Sequence, residues 1–459
     1  MKATLIFDIG KTNKKLFLFD EEFQQIHKEY VRFDEIQDED GYPADDLNAI
    51  TQWIRDRFDK YMRDRQLEIE AVNFSTYGAS FVHLDRYGKP LTPLYNYTKP
   101  MPPNVLRPFY ARYGNEAEFA LATASPASGM LNSGFQLYWL KQAKPEVYSR
   151  IRYSLHFPQY LSYLFTGIPV SEFTSIGCHT SLWDYAKGDY HDWVFAEDID
   201  HNLPPVSSTS ISVNMMFRGK PVRIGMGIHD SSAALLPYLR ADPHPFLLIS
   251  TGTWCISLNP FSQEPLTEED LLHDGLCYLR IDGKPVKANR LFLGNEYRIQ
   301  VEKLGAYFKK DYGYHRSILF DERIYFGQAA DPAPKFHFES LQTPRTQPDE
   351  TAFSAFPDFE TAFHRLMIEL MTEQLASARR AIGHTPIEKI YVDGGFADND
   401  VFIKLASYHF NQYKLRTTQS PLGSALGAAL VISDKRIKAE FLKKHYAMKK
   451  HKPLILQGH

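Results

Sequence analysis

The chain has 459 residues, enough for two or three domains with large cores, and its 44% hydrophobic and 23% charged residues are ordinary for a globular protein. A formal net charge of -3 argues against a nucleic-acid partner, because phosphate backbones call for clustered positive charge. No run of about 18 apolar residues exists, so no membrane span is expected; Asp8 comes too early for a secretory signal. Three widely spaced cysteines (Cys178, Cys255, Cys277) suit a reducing, cytoplasmic compartment and neither a disulfide framework nor a zinc site.

Residues 3–7 and 16–20 are apolar runs with a short link, which predicts a hairpin. Residues 44–65 carry Leu47, Ile50, Trp53, Ile54, Phe58 and Met62 at helical spacing. Strands are expected at 71–75 and 81–84, followed by a turn at 85–88. Helices are expected around 136–141 and 157–165, the second ended by Gly167. Another strand–turn–strand start follows at 246–250 and 255–258. It repeats the layout of the N-terminus, not its residues. A helix at 359–382, strand at 389–392, helix at 401–410, strand at 413–417 and helix at 423–432 complete an alternating α/β pattern. Residues 328–350 read as an irregular insertion, and the basic stretch 443–452 as a solvated face. The duplicated start predicts two similar domains facing a cleft, 1–240 and 246–440, divided near Asp242-Pro243-His244-Pro245.

Four stretches could carry chemistry. In Asp8-Ile9-Gly10-Lys11-Thr12-Asn13-Lys14-Lys15 a carboxylate at a strand end precedes a tight turn. Backbone N–H groups of such a turn can cradle phosphate, the carboxylate can hold hydrated Mg²⁺, and lysines can neutralise charge. A plain hairpin turn with solvated lysines competes with this reading. In Gly225-Met226-Gly227-Ile228-His229-Asp230-Ser231 small residues admit a ligand to the backbone, and Asp230 precedes a helix-compatible run. Asp230 is either a general base or a helix N-cap, and on residues alone the cap is the commoner job. Ser250-Thr251-Gly252-Thr253-Trp254 offers a second phosphate-facing turn or an ordinary hairpin. Asp393-Gly394-Gly395 ends a strand where a nucleotide base or ribose can lie flat on backbone, or merely links strand to helix. No P-loop, serine-hydrolase elbow or protein-kinase signature is present.

Taken in this order, the four stretches resemble the FGGY family of carbohydrate kinases from Asp8 to about Leu430. The resemblance implies two actin/hexokinase-like (ribonuclease H-like) α/β domains flanking a cleft, and MgATP-dependent phosphorylation of a sugar hydroxyl. It implies Asp230 as catalytic base, Asp8 as the Mg²⁺ residue, and Gly10, Thr12, Asn13 and Lys15 as the first phosphate turn. Thr251, Gly252 and Thr253 match the second turn, Gly394 and Gly395 the adenosine side, and Asn289 and Gln300 are further nucleotide candidates. Within the family the chain is most similar to the rhamnulokinase and fuculokinase branch, through residues 75–82, 158–167 and 172–174 and the triplet His229-Asp230-Ser231. That likeness implies Gly78, Ser80, Phe81, His229 and Ser231 beside a ketose such as L-rhamnulose or L-fuculose. Lys15 stands where many members carry Arg, and Ser80 where these relatives usually carry an acid. The expected partner is a small sugar, with no nucleic acid and no membrane, and a homodimer is compatible. The competing classes are an actin-fold ATPase and a sugar-binding regulator without turnover.

Overall fold

The computed structural model describes residues 1–341, 346–420 and 422–455. Two seven-stranded sheets organise the chain. The first runs in the order Ser212–Phe217, Lys220–Gly225, Glu68–Thr76, Lys2–Ile9, Lys14–Phe19, Gln25–Val31, with Ile228–His229 also paired to Glu68–Thr76. The second runs Gly275–Leu279, Pro285–Leu291, Cys255–Asn259, Phe246–Thr251, Lys389–Gly394, Lys414–Thr418, Lys449–Lys450. In each, an N-terminal strand makes an antiparallel hairpin on one side and a parallel pair on the other: Lys2–Ile9 with Lys14–Phe19 and Glu68–Thr76, and Phe246–Thr251 with Cys255–Asn259 and Lys389–Gly394. The expected two-domain α/β architecture is therefore present.

Several elements differ in extent from the sequence reading. The first helix is Leu47–Arg63, because Pro43–Asp45 pairs as a strand and the Asp46 carboxylate caps by accepting from Ala49 N at 2.9 Å. Its buried face packs Trp53 edge-on to Phe7 at 5.7 Å. Strands Ser212–Phe217 and Gly275–Leu279, and the helix Leu293–Phe308, were not foreseen. The basic stretch 443–452 is only partly a solvated face: Leu442 and Tyr446 of helix Ala439–Tyr446 are buried, and Lys449–Lys450 pairs with Lys414–Thr418. Of the expected insertion, residues 342–345 lie outside the described residues. No helix among the described residues is long and apolar enough to cross a membrane.

Two helices, Asp230–Ala241 and Gly423–Val431, share a core with both sheets, whose other members include Ile6 and Ala71 of the first and Leu248 and Tyr391 of the second. The helices touch backbone to backbone at Gly427, where a Cβ would stand 1.8 Å from Ala233 O. Asn73 Nδ2 ties the first sheet to this layer by donating to Ala428 O at 2.8 Å. This packing sets the N-terminus of helix Asp230–Ala241, and with it Asp230, at the wall of the cleft between the sheets.

Candidate active site

A cavity of about 790 Å³ opens in that cleft. Tyr77, Gly78, Asp230 and Ser231 line it from the first domain, and Trp254 and Arg290 from the second.

Asp230 is the first residue of its helix; the cap position belongs to His229, whose side chain makes no capping bond. The carboxylate is thus not spent on capping, and it is 35% exposed to the cavity. Burial raises its pKa from 3.8 to about 6, against bonding from Ser231. His229 stands behind it, with Nε2 3.3 Å from Asp230 Oδ1 and 3.3 Å from Cys178 Sγ. Burial lowers the His229 pKa to about 4, so the ring is neutral at physiological pH. The hydrogen bond of Nε2 runs to Cys178 Sγ, with Asp230 Oδ1 standing beside the same nitrogen.

The backbone entering Asp230 is fixed from below. His229 N donates to Thr174 Oγ1 at 3.0 Å, and Thr174 Oγ1 donates to the fully buried Glu172 carboxylate at 2.8 Å. Thr174 N, Ser175 N, Thr209 Oγ1 and Gln159 Nε2 also donate to the Glu172 carboxylate. That network gives residues 172–174 a physical role. Gly78 passes against the His229 ring: a Cβ there would meet ring atoms at 2.9 Å.

Three expected sugar contacts do not line the cavity, the first being His229, which is 4% exposed and stands behind Asp230. Ser80 and Phe81 are each 1% exposed and do not line the cavity. Phe81 stacks on His156 at 3.9 Å, and strand Phe81–Leu84 turns its residues into the core by pairing with Tyr153–His156. The Ser80 position therefore cannot hold the sugar directly in this arrangement.

At the first turn, Gly10 N donates to Asn13 O at 3.0 Å. Thr12 is exposed, while the Asn13 side chain accepts from Arg32 Nε at 2.8 Å. Asp8 is buried at the strand end; Ser424 Oγ of the second half donates to its Oδ1 at 2.5 Å, and Lys15 Nζ lies 3.8 Å from its Oδ2. Burial is the main influence on Asp8 and raises its pKa, with Ser424 and Lys15 opposing. The lysines of this turn are not all solvated. Lys14 is 2% exposed and donates to Asp45 Oδ1 at 2.8 Å, while Lys11 and the Tyr77 hydroxyl each reach Asp45 Oδ2 at 2.7 Å. Sequence reading missed Asp45, which anchors this turn from the next hairpin.

The second turn is exposed at Gly252 and Thr253 and lies against the start of helix Leu293–Phe308, where Asn295 N donates to Thr253 O at 3.0 Å. Thr251 Oγ1 donates to Asp393 O at 2.6 Å and accepts from Phe396 N at 3.1 Å, so it joins this turn to the glycine pair. Gly394 has φ +92, and a Cβ there would stand 1.9 Å from Thr251 O; only glycine fits. Gly395 is exposed, with nothing within 4 Å of its Cβ direction. Asn289 and Gln300 are corrected as nucleotide candidates. They are 1% and 0% exposed, and their amide nitrogens donate to His273 O and to Glu296 Oε1 and His337 O.

Comparison with known proteins agrees with the two-domain fold. The N-terminal domain of the FGGY family of carbohydrate kinases matches residues 3–230, and the carbohydrate kinase FGGY C-terminal domain matches residues 243–440. A rhamnulokinase from Halalkalibacterium halodurans is 26% identical over 183 residues, 38% of this chain and 37% of that protein. One from Klebsiella pneumoniae is 24% identical over 264 residues, 54% of this chain and 52% of that protein. The chain thus spans about half or less of the curated relatives it matches. Among solved structures, a carbohydrate kinase from Novosphingobium aromaticivorans superposes with TM-score 0.77 at 22% identity, over 99% of this chain and 95% of that one. A xylulose kinase from Lactobacillus acidophilus superposes with TM-score 0.73 at 16% identity, over 99% and 94%. At such identities these likenesses establish the fold. With both halves matched in order, the chain belongs to the FGGY family of carbohydrate kinases.

Proposed function

We propose that the protein transfers the γ-phosphoryl group of MgATP to a hydroxyl of a ketose or deoxyketose, with Asp230 as general base. Asp230 carries the reading: it is a carboxylate with a pKa of about 6, free of capping duty, aimed into a cavity shared by both domains. The curated relatives named rhamnulokinase support the ketose class. The apolar stretch of the wall at Pro100, Met101, Met130 and Leu131 suits the methyl end of a deoxy sugar. Residues 1–240 are read as the sugar-binding unit and 246–440 as the nucleotide-binding unit.

The residues fit a magnesium nucleotide. Asp8 supplies the single carboxylate that such a hydrated ion needs, and Gly252, Thr253 and Gly395 present open backbone at adjoining turns. When bound, MgATP supplies the phosphoryl group and much of the charge neutralisation. Asp230 accepts the proton of the attacking hydroxyl, Ser231 Oγ bonds its carboxylate, and Lys15 adds positive charge beside Asp8. Closure of the two domains would exclude water, the competing acceptor.

The test is coupled ADP release with MgATP across L-rhamnulose, L-fuculose, D-xylulose, L-ribulose and glycerol. Release that depends on a ketose is expected. Release independent of any sugar would favour an actin-fold ATPase instead.

A further inference from the structure

The second domain sends one cation into the sugar cavity. Arg290, on strand Pro285–Leu291, lines it together with Asp230 and Ser231 of the first domain. Its guanidinium is held firmly on one side. Nε donates to Asp274 Oδ2 at 2.9 Å and Nη2 to Asp274 Oδ1 at 2.6 Å, a forked pair. The Arg290 backbone N donates to Asp274 O at 3.2 Å as well. Asp274 adopts φ +58, a left-handed conformation that Asp accepts more readily than most residues. The Trp254 ring lies 5.5 Å from the guanidinium and is packed on Phe292 at 4.5 Å. Nη1 is the nitrogen left over, and among the described residues it has no partner, while the side chain is 16% exposed.

The charges around the cavity narrow what can bind. Arg290 is matched by Asp274. Lys99, the other cation of the wall, has Nζ 2.6 Å from Asp38 Oδ2 and 2.6 Å from Asp40 Oδ2. His179 is kept neutral by burial, which lowers its pKa to about 3. With the carboxylates that hold these two cations counted, Asp38, Asp40, Asp274 and Asp230 outnumber Lys99 and Arg290 around the cavity. A sugar carboxylate entering here would find no unmatched cation, and a buried unpaired charge is costly. A neutral hydroxyl or carbonyl oxygen needs only the one free donor.

We infer that Arg290 Nη1 reads a sugar oxygen other than the hydroxyl served by Asp230, and that the cavity takes an uncharged polyhydroxy sugar and not a sugar acid. Asp274 is the positioning residue that aims the fork. Because Arg290 and Asp230 belong to opposite domains, a sugar bound to both bridges the cleft. This inference rests on the proposed function only in placing the sugar beside Asp230, so its test needs no turnover.

The experiment is calorimetric titration of the full chain, without nucleotide, by the ketose panel and by D-gluconate. Wild type is compared with Arg290→Gln, Arg290→Lys and Asp274→Asn, each checked for folding by circular dichroism. Arg290→Gln should weaken the best ketose about tenfold or more, the usual loss for a hydrogen bond to a charged group. Arg290→Lys should recover only part, since a lysine cannot fork. Asp274→Asn should weaken binding in the same direction, which keeps the inference testable if Arg290→Gln does not fold. D-gluconate should bind wild type at least about tenfold more weakly than the best ketose. Unchanged ketose binding in Arg290→Gln and Asp274→Asn, gluconate binding equal to the ketose, or no neutral sugar bound by wild type would each overturn the inference. If wild type binds a ketose through Arg290 yet never releases ADP, the kinase reading fails and the Arg290 assignment is supported.

Discussion

Asp230 must be ionised to accept a proton, yet it sits where burial resists ionisation. That conflict has two measurable consequences. First, the base works only when deprotonated, so kcat/KM should fall as pH drops through about 6 and level off above it. A rate that held steady down to about pH 5 would contradict this assignment. Second, the folded pKa of about 6 exceeds the unfolded value of 3.8. The unfolded chain therefore loses this proton first, and between about pH 4 and 6 the folded state binds more protons. The contribution of Asp230 to stability thus falls as pH rises through that window. Asp230→Asn removes the penalty, so its Tm should exceed wild type at about pH 8, and the gap should close near pH 4. A lower Tm at pH 8 would mean that the carboxylate is held by favourable contacts instead.

At the scale of elements, the site depends on close backbone crossings. Helices Asp230–Ala241 and Gly423–Val431 meet where a Cβ on Gly427 would stand 1.8 Å from Ala233 O. Gly427→Ala must push the helices apart, at a cost of about 1–3 kcal/mol, read as a lowered Tm. The same shift displaces Ser424 from Asp8 and so should also lower turnover. An unchanged Tm would show that the helices can yield freely. Gly394→Ala meets Thr251 O and a positive φ, and should impair nucleotide binding while leaving sugar affinity intact, by calorimetry. Much of this frame was legible in the sequence. The paired strand starts and the long helix Phe359–Ile382 announce themselves through apolar periodicity, and the glycines mark the turns. The partners of those turns do not. Asp45 anchors Lys14 across 31 positions, and Ser424 reaches Asp8 across 416. No local pattern encodes such pairings. The Ser80 expectation fails for a related reason: Ser80 sits in the link between strands Glu68–Thr76 and Phe81–Leu84, and its burial is set by packing that no local pattern encodes.

The whole molecule brings two similar domains to one cavity, with Gly78 and Asp230 on one side and Trp254 and Arg290 on the other. Phosphoryl transfer at such a site requires water to be shut out, and domain closure is the means the architecture offers. Small-angle scattering should therefore show a smaller radius of gyration when sugar and a non-hydrolysable ATP analogue are both bound. An unchanged radius would argue against closure. The most direct measurement is the rate of sugar-dependent ADP release by Asp230→Asn beside wild type, with folding and ATP binding checked in both. Wild type should turn over a ketose, and Asp230→Asn should bind ATP normally yet lose about 10²–10⁴ in rate. Near-wild-type turnover in Asp230→Asn would contradict the assignment of the base.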